Sequence, residues 1–251
     1  MNNQTNIIGS FAKGLRILEA FGANTVSLTI SQAAEHTDLD RATARRCLLT
    51  LHHEGYADYN GKHFSLTHKA LRLGMGALSS MPLSQIVQPW LDQLTGQIDQ
   101  SCSVAVRDDN EIVYIARAAQ KKVMSIGLMP GSRLSVHNTS MGRVLLSVLD
   151  DVTAMELVKS CDLTPNTQHS LTDPDEIIDE IRRVRSQGFA AADQEIELGL
   201  RSLAVPIKNS KGTTIAALNT GMPAFHQNIE ELVSQFLPAL RKVQAGLERI
   251  V

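Results

Sequence analysis

The sequence predicts a two-domain α+β chain: a winged helix-turn-helix at the N-terminus, then a larger domain of mixed helices and strands. Three observations lead there. Between residues 29 and 54 a capped short helix passes through a very short turn into a longer capped helix. An Asn60-Gly61 turn between two strand-like segments follows at once. From Leu83 onward helical and strand-like stretches interleave, with 201–208 and 213–220 set as an antiparallel pair across Asn209-Ser210-Lys211-Gly212.

The first helix is expected from Ser10, with Phe11, Leu15, Leu18 and Phe21 at helical spacing and Gly22 placed to end it. Thr29-Ile30-Ser31-Gln32 is a capping-box pattern, in which the Thr hydroxyl and the Gln side chain satisfy opposite ends of one turn. The short helix over 31–36 holds Ala33 and Ala34, small enough for a second helix to cross closely. That second helix is capped by Asp40 and runs to Glu54, with Leu48, Leu49 and Leu51 on its core side. Tyr56–Tyr59 and His63–Leu66 then flank Asn60-Gly61 and make the wing. Residues 67–80 read as a helix weakened by Gly74 and Gly76 and stopped at Met81-Pro82. This places a linker helix at 67–82 between a DNA-reading domain at 1–66 and a second domain at 83–251.

In the second domain a helix over 84–98 precedes strands 103–107 and 111–116, which turn at Asp108-Asp109-Asn110; residues 123–128 read as a third strand. Helices over 140–149, 151–160 and 173–187 follow, the last opened by Thr172-Asp173-Pro174 with Glu176 in its first turn. Strands near 189–193, 201–208 and 213–220 precede a closing helix over 229–251.

Of 251 residues, 43% are hydrophobic and 20% charged, enough for more than one core. The net charge of −2 gives no general affinity for nucleic acid. Residues 1–75, however, carry eight Lys and Arg against six Asp and Glu, a local +2 that leaves −4 for the remainder, and five of the eight histidines. Cys47, Cys102 and Cys161 are odd in number and too far apart for a local zinc site, which points to a reducing cytoplasm. No stretch approaches the roughly 20 apolar residues of a membrane span. An enzyme is the main competing class. Yet no Gly-x-Ser-x-Gly elbow, phosphate loop, His-Glu-x-x-His pair or dinucleotide fingerprint occurs. Asp193, Glu195 and Glu197 alternate without a clustered His or Cys set, so no metal or cofactor is expected.

The second helix of a helix-turn-helix lies in the major groove of double-stranded DNA, with its first turns at the base edges. Here that surface is Arg41, Ala42, Thr43, Arg45, Arg46 and Thr50. Arg41 and Arg45, four apart, share a face, and an arginine fork matches guanine O6 and N7. Thr43 suits a phosphate or a thymine methyl. Ser31 and Gln32 open the preceding helix, where backbone N–H groups favour a phosphate. Lys62 and His63 follow the hairpin turn, positioned for the DNA backbone or the minor groove. His52 and His53, at the end of the helix, receive no role.

The segment Phe11-Ala-Lys-Gly-Leu-Arg-Ile-Leu-Glu-Ala-Phe21 and the helix-turn-helix carry a resemblance, as do Gly131-Ser-Arg-Leu…Thr139-Ser-Met-Gly-Arg-Val-Leu-Leu146 and Asp193-Gln-Glu…Leu198-Gly-Leu-Arg-Ser-Leu-Ala-Val-Pro206. Together they resemble the IclR family of bacterial transcription regulators, and within it the regulators of aromatic-acid breakdown by the protocatechuate and β-ketoadipate route. The resemblance implies a GAF-like effector domain, a homodimer or homotetramer on its operator, and control by a small carboxylate. Matched by position, it implies a pocket at Leu134, Met141, Gly142, Asp193, Leu200, Ser202 and Asn219. Related members often have Pro-Ala-His-Ala-Thr-Ser where this chain has Ser135-Val-His-Asn-Thr-Ser140.

The chemistry nearby suits an anion. Arg133, His137, Thr139, Ser140 and Arg143 crowd one stretch, and Ser140–Gly142 lie near an expected helix N-terminus. The alternative is that Arg133 and Arg143 pair with Glu195 or Glu197, that Gly199 is a turn glycine, and that Arg201 is an ion-pair residue. For the domain as a whole, the alternative to sensing is a role in assembling subunits alone.

Overall fold

The computed structural model describes residues 7–22, 25–79, 82–120, 127–224 and 228–251, with the backbone alone for 74–79. They fall into two units, Met1–Ala77 and Leu78–Val251.

The first unit runs α1 (Gly9–Glu19), β1 (Ser27–Leu28), α2 (Ile30–Thr37), α3 (Arg41–His53), β2 (Ala57–Tyr59) and β3 (Phe64–Leu66), then enters α4 (His68–Ser79). Both expected caps form: Thr29 and Gln32 close a capping box on α2, and the Asp40 carboxylate accepts from Thr43 N–H at the start of α3. Ala33, Ala34 and Ala44 let these helices meet over Ile17, Leu28, Leu48 and Phe64. Two features depart from the sequence reading. β1 is only two residues long, too short for a periodic signal, yet it pairs with β3 as the third strand of the wing sheet. On α1 the apolar residues occupy more than one face. Ile17 is fully buried, whereas Phe11 is 65% and Leu15 42% exposed; of the residues read from spacing, Phe21 packs against the core. In the wing, Gly61 takes the left-handed φ of 96°, and the Asn60 side chain accepts from the Lys62 and His63 N–H groups.

The second unit contains α5 (Pro82–Ile98), β4 (Ser101–Asp108), β5 (Glu111–Ala118), β6 (Arg133–Ser135), α6 (Ser140–Leu146), α7 (Asp151–Ser160), α8 (Pro174–Gln187), β7 (Ala190–Asp193), β8 (Leu200–Lys208), β9 (Thr214–Pro223) and α9 (Ile229–Leu247). The six strands form one antiparallel sheet in the order β6-β5-β4-β9-β8-β7. The strand expected at 123–128 has residues 123–126 outside the described set, and β6, three residues long, went unread.

Strand alternation sorts side chains to the two faces. Val104, Leu203, Val205, Ile207, Ala216 and Leu218 pack under α5 and α9. Ala105, Ala204 and Ala217 face α6, α7 and α8. Those alanines leave room for α6 close to the sheet. Gly142 tightens the fit further, because a Cβ there would stand 1.9 Å from the Val136 carbonyl oxygen. Opposite, Gly246 of α9 lies directly against the Trp90 ring of α5, where a Cβ would come within 2.3 Å.

Candidate nucleic-acid interface and ligand cavity

In the first unit α3 presents Arg41, Ala42, Arg45 and Arg46 to solvent, with Thr50 exposed one turn on. Thr43 differs: its side chain is buried, and its hydroxyl accepts from Arg46 Nη2 at 3.4 Å. It thus sits beneath Arg46 rather than at the front of the helix. Arg41 Nη2 hydrogen-bonds the Ser31 hydroxyl, linking the first residues of α2 and α3. Gln32 is exposed, but its side-chain oxygen is held by the Thr29 N–H and hydroxyl. Lys62 is exposed at the wing tip and His63 is half-buried. His52 turns out to brace the wing, its Nδ1 lying 2.9 Å from the Ala57 carbonyl while Tyr59 stacks on Phe64 at 4.3 Å. Together these place four exposed cations, Arg41, Arg45, Arg46 and Lys62, on α3 and the wing of one unit.

In the second unit, α6, the 194–200 segment and the sheet bound a small, partly open cavity of about 40 Å³. Its walls come from β5 (Tyr114, Arg117), β6 (Leu134), the start of α6 (Thr139, Ser140, Met141), β8 (Leu200, Ser202) and β9 (Asn219, Gly221), with Leu128 and Ile196 from loops. Register explains the gathering: Ser103 stands opposite both Arg117 and Asn219, and Ser202 opposite Gly221. Polar groups therefore replace the alanines at this end of the face. Ser140 and Ser202 hydroxyls meet at 2.8 Å. Arg117 Nη1 donates to Ser103 Oγ at 2.9 Å, while its buried Nε has no partner among the described residues. Burial pulls the Arg117 pKa below its usual value and pushes the Tyr114 phenol up to about 12. At neutral pH both the guanidinium charge and the phenol proton are retained.

Two family models match the chain. One described as "Bacterial transcriptional regulator IclR C-terminal" covers residues 75–248, and one described as "IclR helix-turn-helix domain" covers residues 10–61. The chain belongs to the IclR family. It is thus a DNA-binding transcription regulator rather than an enzyme. The IclR relatives include the Pca regulon regulatory protein of Pseudomonas putida, 41% identical over 92% of this chain and 80% of that protein. A transcriptional regulator from Rhodococcus sp. RHA1 superposes with a TM-score of 0.79 at 39% identity, covering 97% of this chain and 98% of that one. The inducer-binding domain of PobR from Acinetobacter, as a double mutant in complex with 3-hydroxybenzoic acid, gives a TM-score of 0.64 at 33% identity. It covers 68% of this chain and all of that one.

Of the positions singled out for an effector, Leu134, Ser140, Met141, Leu200, Ser202 and Asn219 line the cavity. The other four lie elsewhere. Arg133 is on the outer surface, bound to Glu111 at 2.6 Å and Asp108 at 2.7 Å. His137 is buried, its pKa lowered by burial and by the nearby Arg143. Gly142 serves the close helix contact, and Asp193 pairs with Arg201 at 2.6 Å, which holds its carboxyl below the usual range. The α6 amides are also less available than expected, since Thr139 Oγ1 already accepts from Gly142 N–H at 3.0 Å. Thr139, from the anion-suited stretch, also lines it, and Tyr114, Arg117, Leu128, Ile196 and Gly221, which the sequence reading does not assign to it, complete the lining. For Arg117 a signal existed: it is the cation on the second strand of the Asp108-Asp109-Asn110 hairpin. Only register reveals which face it takes.

Proposed function

We propose that this IclR regulator binds a small aromatic or aliphatic carboxylic acid of the protocatechuate/β-ketoadipate type in the cavity of its second unit, and that binding changes its affinity for operator DNA. One observation carries the reading: Arg117 brings a half-buried guanidinium, its Nε unpartnered among the described residues, to a cavity otherwise walled by hydroxyls, the Asn219 amide and apolar side chains. A carboxylate supplies the missing acceptor and the missing charge. Tyr114, the Ser140–Ser202 pair and Asn219 offer hydrogen bonds to ring hydroxyls. Leu134, Met141, Ile196 and Leu200 offer an apolar clasp. The 3-hydroxybenzoic acid held by the PobR domain is of this chemistry.

In this reading residues 1–66 read DNA, 67–82 link, and 83–251 sense and assemble a homodimer or homotetramer. Arg41, Ala42, Arg45, Arg46 and Thr50 face the major groove, Ser31 and Gln32 approach a phosphate, and Lys62 and His63 follow the backbone. Thr43 supports Arg46 from beneath. A cytoplasmic location goes with the operator, and no helix among the described residues is long and apolar enough to cross a membrane.

The test is fluorescence anisotropy on DNA upstream of the protein's own gene, with and without protocatechuate, 4-hydroxybenzoate, quinate and β-ketoadipate. Tight, salt-sensitive binding that one acid shifts about 5- to 150-fold supports the reading. DNA binding indifferent to every acid removes the effector class and favours a second unit that only assembles subunits.

A further inference from the structure

Arg143 is among the largest side chains with almost no exposure, yet it does not line the cavity. It stands two residues beyond Met141 on α6, directly behind the cavity wall. Its Nη1 and Nη2 donate to the two Glu195 carboxylate oxygens at 2.7 and 2.5 Å, and its Nε donates to the His137 carbonyl at 2.9 Å. The bidentate pair thereby fixes α6 against both the loop before it and the 194–200 segment.

Glu195 is itself held from outside. Its carbonyl accepts from Ser170 Oγ at 2.6 Å, and the neighbouring Gln194 carbonyl accepts from Thr167 Oγ1 at 2.7 Å. Gln194 adopts a left-handed φ of 60°, and its side-chain oxygen accepts from Gly199 N–H at 3.0 Å, closing the segment on itself. The two stretches joined by the pair are the two that supply opposing cavity walls: Thr139, Ser140 and Met141 on one side, Ile196 and Leu200 on the other.

A buried ion pair is a poor source of net stability, because desolvation of both charges offsets most of their attraction. What a planar fork on a carboxylate does supply is a fixed distance and orientation. We propose that Arg143 and Glu195 are positioning residues that set the separation of the cavity walls, acting on the effector through Ser140, Met141, Ile196 and Leu200 without touching it. The inference rests on reading this cavity as the effector site.

The test compares full-length wild type with Arg143→Met/Glu195→Leu, which fills the same volume without charge, and with Glu195→Gln, which keeps one acceptor. Hydrogen exchange followed by mass spectrometry reads the amides of 139–142 and 194–200 without any ligand. Calorimetric titration with 3-hydroxybenzoate and protocatechuate reads affinity. The expected result for the double variant is a melting temperature within a few degrees of wild type, exchange at least tenfold faster in those two stretches but unchanged in 101–118, and at least tenfold weaker binding. Glu195→Gln falls between, and it carries the test alone if the double variant does not fold. Unchanged local exchange with unchanged affinity overturns the inference, as does exchange accelerated evenly through the unit, the mark of a merely structural pair. If wild type binds neither acid, the effector reading fails on its own, while the exchange data still decide whether the pair holds the two walls.

Discussion

Replacing Arg117 with Met tests the sensing reading most directly, because it should move two quantities in opposite directions. In the ligand-free protein the guanidinium makes one described hydrogen bond, to Ser103, and leaves Nε buried without a partner among the described residues. Removing an uncompensated charge of this kind costs no stability and can add to it. Arg117→Met alone is therefore expected to melt at or slightly above the wild-type temperature. Binding should suffer. A carboxylate engaged by the fork gains two charge-assisted hydrogen bonds of about 1.5–3 kcal/mol each. After desolvation of the acid, about 2–4 kcal/mol remains, a loss of roughly 30- to 1,000-fold in Kd on substitution. Differential scanning calorimetry makes both signs visible. An acid at about 100 times its Kd stabilises wild type by about 2.7 kcal/mol, or roughly 5–11 °C for a unit of this size. The same concentration stabilises Arg117→Met by at most about 0.9 kcal/mol, roughly 2–4 °C. Unaltered affinity, or a ligand-free variant melting more than about 5 °C below wild type, would refute the reasoning.

Four further outcomes are expected. Arg45→Ala should lower operator affinity by about 1–3 kcal/mol at particular base pairs, whereas Lys62→Ala should weaken all sequences evenly and flatten the salt slope. Anisotropy on a panel of single-base operator variants at several salt concentrations separates the two, and identical behaviour would count against the groove assignment. Gly142→Ala should destabilise more than Gly246→Ala, because its Cβ meets the Val136 backbone whereas the latter meets the Trp90 ring. Denaturant melts should give about 1–3 kcal/mol for Gly246→Ala and at least that for Gly142→Ala. His137 has its folded-state pKa depressed by burial and by Arg143, so the unfolded chain binds its proton more readily. Stability from this group is complete above the ordinary histidine value and is lost as pH falls below it; urea melts between pH 7 and 5 should show that slope, and His137→Gln should flatten it.

Most local elements are written in short stretches of chain. Caps are nearest-neighbour chemistry: Thr29 with Gln32, and Asp40 with the Thr43 N–H, require nothing beyond four consecutive residues. The same holds for the Asn60-Gly61 wing turn and for the Asn209–Gly212 turn joining β8 to β9. Elements whose existence depends on a distant partner were not readable. β1 is two residues that become a strand only because β3 lies beside them, and β6 is three residues paired with β5.

The same division runs through the sites. The exposure of the α3 arginines follows from one helix and one period, and only the phase that buries Thr43 departs from it. The sequence points to the cavity only at positions matched to recognisable motifs, Leu134, Ser140, Met141, Leu200, Ser202 and Asn219. Tertiary structure decided the rest. Cross-strand register brings Arg117 of β5 and Ser103 of β4 onto one face with Asn219 of β9, more than 100 positions further along the chain. Packing likewise sends Arg143 inward to Glu195 and Arg133 outward to Glu111 and Asp108. Two arginines ten residues apart and equal in charge thus take opposite roles, because a side chain's partner depends on which elements cross over it.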